Sequence, residues 1–301
     1  MEYTRFGKTG LRVSKLGLGG APIGGGFGEI DEAEIDRLVH EAIDLGINFI
    51  DTAPLYGSGK SEERIGRALS GGKREQVVLA TKAVRCDLSY GYASTIDSVE
   101  QSLKRLRTDR IDLLQIHDVE KQPFETIVNE TIPALRKLRD DGKIRFIGVT
   151  TRDLDLLKRY MLLDEFDAIQ FYARYMLVDF SAEREILPLA REKDIAVVSG
   201  SIMGMGVLAD DPAEFIDEGT IRAGRERMDK LRFLSGGRKG GLVEPGMRFS
   251  FGNPDIHVSL TGTIRADILR RNASYCDGAG LRPEDERRVR ELFAGYPSLF
   301  A

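Results

Sequence analysis

Eight short apolar runs, with helical patterns between them, limit the folds open to this chain more than any other feature of its sequence. They are Leu16–Gly20, Asn48–Thr52, Val77–Lys82, Ile111–His117, Ile144–Val149, Ala168–Phe171, Ile195–Ser199 and His257–Gly262. Most recur at close to the ~30 residues of a strand–helix unit. Near-continuous apolar character, rather than strict alternation, marks strands buried on both faces, as in an all-parallel sheet. Between the runs, Asp31–Leu45 carries Ile35, Leu38, Val39, Ala42 and Ile43 on one face. Asp31 is its N-cap, Glu34 follows three residues later, and Gly46 ends it. Ser94–Leu106, Glu125–Arg139, Asp153–Leu163 and Ala182–Lys193 repeat that period. Eight such units closed on themselves make an α/β fold of the (β/α)8 TIM-barrel type, expected here as a single domain over residues 1–301. An open doubly wound sheet would place a phosphate-binding GxGxxG after the first strand, and "GLGGAPIGGG" is only a loose match.

Other segments lie outside the repeat. "YTRFGKTGLRVS" reads as an N-terminal β-hairpin around Gly7–Gly10, capping the barrel bottom. Pro283–Gly295 reads as an extra C-terminal helix. The interval from 199 to 257 is about twice the usual unit; it opens with the Gly- and Met-rich "GSIMGMGVLADDP", holds a helix over Arg222–Leu234, and suits a lid on the active face. A net charge of −4 gives no basic field to recruit nucleic acid or anionic lipid. Cys86 and Cys276 show no CxxC spacing, so no disulfide framework or metal site is expected and a reducing cytoplasm fits. The N-terminus has no apolar signal-peptide region, and no run approaches the ~20 residues of a membrane span.

In a barrel of this type, chemistry sits at the C-terminal ends of the strands. The second run ends at Asp51, with Tyr56 in the following loop; the third ends at Lys82 and the fourth at His117. A phenol has a free pKa of ~10 and is a poor acid or base at neutral pH. An ammonium close to it favours the phenolate, so Lys82 is expected to lower the Tyr56 pKa, and Asp51 to pair with Lys82. His117 can orient a substrate carbonyl toward Tyr56. This set suits reduction of an aldehyde or ketone, or its reverse, with a cofactor carrying the hydride.

"FIDTAPLYG", "VVLATK", "DLLQIHDVE", "GKIRFIGVT" and "TGTIRADILRRN" resemble, in order and spacing, the signatures of the aldo-keto reductases. "IHDVE" with "ETIPALRKLRDDGKIRFIGVT" looks most like the L-galactose and aldose dehydrogenase branch. The resemblance implies that Asp51, Tyr56, Lys82 and His117 are the catalytic tetrad. It further implies nicotinamide-cofactor contacts from Gly20, Ala21, Asp51, Thr150, Thr151, Gln170, Gly200, Ser201, Met203, Gly204, Thr263, Arg265, Arg271 and Asn272. Thr151 departs from the Asn common at its position. Gly200 stands where many members carry an aromatic against the nicotinamide, and Arg271 replaces a usual Glu. Arg265, Arg270 and Arg271 favour the 2′-phosphate of NADP, with NAD use alongside.

The face that can be placed is polar: His117, Asp118, Tyr90, Tyr92, Tyr172 and Arg174, with no tryptophan in the chain. That suits a small hydroxylated substrate, whose hydroxyls need partners on desolvation. The branch that the chain resembles oxidises the anomeric carbon of free aldoses to lactones. Other readings are a general aldehyde reductase, a cofactor-binding regulatory subunit, and a barrel enzyme with Lys82 as a Schiff-base lysine; Asp51 argues against the last by keeping the amine charged.

Overall fold

Eight parallel strands close into a barrel, and each coincides with one of the apolar runs to within one residue at either end. The structure, a computed structural model, describes residues 1–25, 30–85 and 87–300; Cys86 and Gly26 of the glycine-rich stretch lie outside them. Tyr3–Arg5 (β1) and Arg12–Ser14 (β2) form an antiparallel hairpin. The barrel strands are Leu16–Gly19 (β3), Phe49–Asp51 (β4), Val78–Ala83 (β5), Ile111–Ile116 (β6), Ile144–Thr150 (β7), Ala168–Tyr172 (β8), Ala196–Gly200 (β9) and Val258–Thr261 (β10). Each pairs with its chain neighbour, and β10 closes the ring on β3.

The two faces of each strand feed different cores, because successive side chains point to opposite sides. Ile50, Leu79, Leu114, Ile116, Ile147, Val149, Ile169 and Val197 point outward and pack with the surrounding helices. Phe49, Val78, Ala80, Leu113, Ala168, Ala196, Val198, Val258 and Leu260 point inward and form a second core. Phe6 and Val13 of the hairpin belong to that inner core. The Phe6 ring lies 5.5 Å from Phe49 and edge-on to His257 at 6.1 Å. The hairpin therefore plugs the lower end of the barrel, as its place in the sequence implies.

The helices follow their capping signals. Asp31 accepts hydrogen bonds from the N–H groups of Ala33 and Glu34 ahead of Glu32–Asp44, and Gly46 turns the chain at φ 86°. Asp153 caps Leu154–Met161 through the Leu156 N–H. The run expected over Glu125–Arg139 extends from Phe124 to Asp140 with a π turn at Ile127–Thr131. The expected helix Ala182–Lys193 is shorter, Ile186–Glu192, and that over Arg222–Leu234 starts earlier, as Glu218–Lys230 followed by Arg232–Ser235. Two helices not expected from the sequence are Lys60–Ala68 and Val243–Gly252. The C-terminal helix spans Pro283–Phe293. Beyond it the chain returns over the face where the strands end: Arg227 donates to the Pro297 carbonyl, the Leu299 N–H donates to Asp179, and Arg174 donates to the Phe300 carbonyl. Among the described residues no helix is long and apolar enough to cross a membrane.

Candidate active site

The period that builds the inner core also builds the site. Followed toward their C-terminal ends, the inward positions turn from apolar to polar: Phe49 to Asp51, Val78 and Ala80 to Lys82, Leu113 to Gln115, Ala168 to Gln170. Asp51, Lys82, Gln115, His117, Thr150 and Gln170 are all buried. Lys82 Nζ donates to both Asp51 carboxylate oxygens, at 2.8 and 2.7 Å, and to the Thr52 carbonyl at 2.9 Å. Gln115 Nε2 donates to Asp51 Oδ1 at 3.0 Å. Gln115 was not anticipated; its signal is a lone amide in an apolar strand, two positions before His117 on the same face.

Burial pulls the Lys82 ammonium down, but Asp51 and then Tyr56 outweigh it and hold the amine above its ordinary range, charged. Burial likewise pushes the Asp51 carboxyl up, against the opposing pull of Lys82. With both carboxylate oxygens on one ammonium, the pair is ionic.

Tyr56 stands beside this pair, its ring centre 5.3 Å from Lys82 Nζ and 6.0 Å from the His117 ring, nearly perpendicular to the latter. Lys82 lowers the phenol as expected, but it does not set the net direction. Burial raises Tyr56, Lys82 lowers it, Asp51 and Asp118 raise it again, and the net shift is upward. An ammonium already neutralised by its own carboxylate offsets only part of the desolvation cost. Tyr56 is thus held as a protonated phenol. His117 is driven well below its ordinary pKa, first by burial and then by Lys82, and is a neutral imidazole.

Backbone contact fixes where Tyr56 stands. Gly57 has φ 61°, and a Cβ there would lie 2.0 Å from the Gly24 carbonyl oxygen; a Cβ on Gly24 would lie 2.6 Å from the Tyr56 carbonyl carbon. The short helix Ala21–Gly24 and the 3-10 turn Tyr56–Gly59 therefore meet main chain to main chain. Gly57→Ala is expected to lower turnover by about 10²-fold, the order seen when a reacting group moves by ~1 Å, with a much smaller change in cofactor affinity. Steady-state kinetics beside a cofactor titration will read this.

The residues assigned to cofactor contact ring the same mouth. Gly20 donates its N–H to the Asp51 carbonyl at 2.7 Å, and Ala21 begins the next turn. Thr150 Oγ1 accepts the Asp118 N–H at 3.0 Å. Thr151 is fully buried and its hydroxyl accepts the Asp153 N–H, so it serves the turn before Leu154–Met161. Ser201, Met203 and Gly204 form the turn after β9, closed by the Gly204 N–H on the Ser201 carbonyl at 2.8 Å. A Cβ on Gly200 would stand 3.2 Å from Tyr172 Cβ, so the glycine leaves room for that side chain. Thr263 Oγ1 accepts the Arg265 N–H after β10. Asn272 donates to Thr261 Oγ1 at 3.0 Å. Arg265 pairs with Asp267, and Arg270 with Glu41, whereas Arg271 has no side-chain partner among the described residues.

Four buried polar atoms of the site have no partner among the described residues: Gln115 Oε1, His117 Nδ1, Gln170 Oε1 and Asn272 Oδ1. Buried polar groups ordinarily find hydrogen bonds, and leaving one unmade costs about 1–3 kcal/mol. An amide at the end of β8 and another on the helix after β10, both with free carbonyl oxygens, fit the two ends of a nicotinamide dinucleotide.

Three side chains expected to face substrate do not. Tyr90 is fully buried and its phenol donates to the His117 carbonyl at 2.5 Å, behind the imidazole. Arg174 holds the Arg152 carbonyl and the chain end at Phe300. Tyr92 is exposed at the first position of the helix Tyr92–Leu106. Tyr172 stays on the site: burial and then Asp118 push its phenol far above the ordinary range.

The family model described as the aldo/keto reductase family matches residues 15–292. The L-galactose dehydrogenase of Arabidopsis thaliana is 33% identical over 284 residues, 91% of this chain and 88% of its own. The NADH-specific methylglyoxal reductase of Escherichia coli (strain K12) is 35% identical over 230 residues, 69% of each chain. Among solved structures, the holo form of an aldo-keto reductase from Bacillus halodurans matches with a TM-score of 0.79 at 26% identity, covering 97% of this chain and 96% of that one.

Proposed function

This chain belongs to the aldo/keto reductase family, as an NAD(P)-dependent oxidoreductase of carbonyl compounds or sugars, and from that premise we propose that its substrates are free aldoses, oxidised at C1. The observation that carries this reading is the polar, tryptophan-free face around Tyr56, where His117, Asp118 and Tyr172 offer partners to a hydroxylated molecule. The name of the Arabidopsis relative supports it. The roles we assign are these. Tyr56 accepts the proton of the C1 hydroxyl in oxidation and donates it to the carbonyl oxygen in reduction. Neutral His117 orients that oxygen. Lys82, held charged by Asp51, steadies the phenolate whenever it forms. Gln170 would hold the carboxamide of a nicotinamide cofactor and Asn272 its adenine, and the group so held would supply the hydride chemistry at the same carbon.

The raised phenol favours a second reading in part. A protonated Tyr56 is ready to donate, which suits reduction of a small carbonyl at neutral pH, the activity named for the Escherichia coli relative. Oxidation requires the phenolate, so its rate should climb with pH toward and beyond the ordinary phenol range. A single comparison separates the readings: L-galactose, L-fucose and other aldoses assayed by cofactor reduction, against benzaldehyde and methylglyoxal assayed by cofactor oxidation. Higher catalytic efficiency on an aldose supports the sugar reading. Robust aldehyde reduction without aldose oxidation removes it and leaves the family assignment standing.

For the cofactor we take NADP as the preferred form. Among the described residues Arg271 is the unpaired cation of the three after β10, and the exposed Arg265–Asp267 pair is of the kind worth only ~0–1 kcal/mol, so Arg265 can turn to a phosphate at little cost. Arg265→Ala and Arg271→Ala should each lower the NADP-to-NAD affinity ratio several-fold in fluorescence titrations, and the double variant more. A ratio unchanged in the double variant rules the assignment out. We place the activity in the cytoplasm, within one barrel domain over residues 1–301.

A further inference from the structure

One carboxylate in the mouth, counted above only as part of its polar face, has no part in the proton or hydride chemistry. Asp118 follows His117 directly and sits between β6 and the turn Val119–Lys121. Its backbone is left-handed, φ 40° and ψ 63°, a conformation that a non-glycine residue holds only when its surroundings impose it. Those surroundings are visible: the Asp118 N–H donates to Thr150 Oγ1, and its carbonyl accepts the Lys121 N–H at 2.9 Å. These bonds hold the backbone and leave the side chain unbound. Among the described residues the carboxylate has no hydrogen bond and no ion pair, although it is half-buried. It does not cap the turn that it opens. It stands close enough to Tyr56 and Tyr172 to raise both phenols, and to Lys82 to help hold that ammonium charged.

We infer that Asp118 is the specificity-determining residue of this site: its carboxylate accepts a hydrogen bond from a substrate hydroxyl beside the reacting carbon, selecting hydroxylated carbonyls over plain ones. The inference rests on the assignment of Tyr56 and His117 to the reacting oxygen. A carboxylate offers acceptors only, which matches a hydroxyl and offers nothing to an alkyl chain. A half-buried, unbound carboxylate is unfavourable until such a donor arrives, and the binding energy then appears for hydroxylated substrates alone. The charged and titratable groups facing it are Glu120, Lys82, Lys121 and Arg152, with the phenols of Tyr56 and Tyr172. Burial and Glu120 push its carboxyl up to about 6, so the acceptor form prevails at neutral pH.

The test uses the full chain with its preferred cofactor and two aldehydes of equal carbon number, glyceraldehyde and propionaldehyde, reduced under the same conditions. Asp118→Asn keeps the size and tolerates the left-handed backbone; Asp118→Gly relieves the backbone and removes the side chain. Asp118→Gly should lower the glyceraldehyde-to-propionaldehyde ratio of kcat/KM about ten- to hundredfold, as loss of a hydrogen bond to a charged group does, and Asp118→Asn, whose amide oxygen still accepts but carries no charge, should lower it by less, with the change carried by KM for glyceraldehyde. In the unmutated protein the ratio should also fall as pH drops below about 6. A ratio that stays within twofold in both variants overturns the inference. So does an equal loss on both aldehydes, which would mean that Asp118 acts through Tyr56. Absence of aldose oxidation by the unmutated protein would sink the sugar reading, while the two aldehydes would still decide the part played by Asp118.

Discussion

Replacing Tyr56 by phenylalanine is expected to lower turnover by about 10²–10⁴-fold or more, the range for losing a general acid–base group, while cofactor affinity stays within a few-fold. The ring would keep its place against His117, 6.0 Å away, and beside Lys82. Only the phenolic oxygen and its proton would be lost. Because burial raises Tyr56 despite Lys82, the loss should be felt first in reduction at neutral pH, where the protonated form is the working one. Pre-steady-state measurement of the hydride step, with a parallel fluorescence titration of cofactor, separates chemistry from binding. Turnover within tenfold of the parent would remove Tyr56 from the mechanism.

Lys82→Met is the second large effect, and it acts on both stability and chemistry. The ammonium is 1% exposed and bound to both oxygens of Asp51. Removing one partner of such a pair costs about 3–5 kcal/mol, since the remaining charge has no solvent and no counterion. Asp51, already pushed up by burial, would escape by taking a proton. The double variant Asp51→Asn, Lys82→Met should therefore recover much of the lost stability and none of the lost turnover. Lys82 is also the influence that lowers Tyr56, so without it the phenol moves further up. The alkaline limb of the oxidation profile should shift to higher pH by about a unit or more, each unit being ~1.4 kcal/mol of interaction. Denaturant unfolding of the single and double variants and pH profiles of oxidation read the two consequences separately. An unmoved pH profile would break the link between Lys82 and Tyr56.

What the sequence disclosed and what it hid divide along a physical line. The barrel was legible because each strand is apolar on both faces, and that pattern needs no knowledge of neighbours. The tetrad residues were legible because a charged or titratable side chain that ends such a strand stands out against it. Val243–Gly252 was hidden by Pro245, Gly246 and Gly252, which read as loop residues; burial of Met247, Phe249 and Phe251 forms the helix in spite of them. Lys60–Ala68 was hidden by its polar surface, although Glu62 is fully buried on a bond to Thr81 and an ion pair with Arg105. Lys82 lowers Tyr56 as the spacing suggests, but the net shift is upward because desolvation is a property of the assembled mouth, not of spacing along the chain. Arg174 and Tyr90 look available in the sequence, but their partners are set by tertiary contact: the carbonyl of Phe300, 126 residues on, and the carbonyl of His117.

The hairpin plug has a consequence for traffic. With Phe6 and Val13 packed among the inner side chains of the strands, the barrel is a vessel stopped at its base, and the tetrad lies under the open rim. Among the described residues the base is closed, so what reaches the reacting atoms is expected to enter and leave over the rim. Two ligands that share a single door cannot exchange independently: the one seated deeper arrives first and departs last. An inhibitor lodged above it will slow the escape of the deeper one as well as the entry of its own competitor, so inhibition patterns in this protein should report the order of stacking inside the barrel as much as affinity.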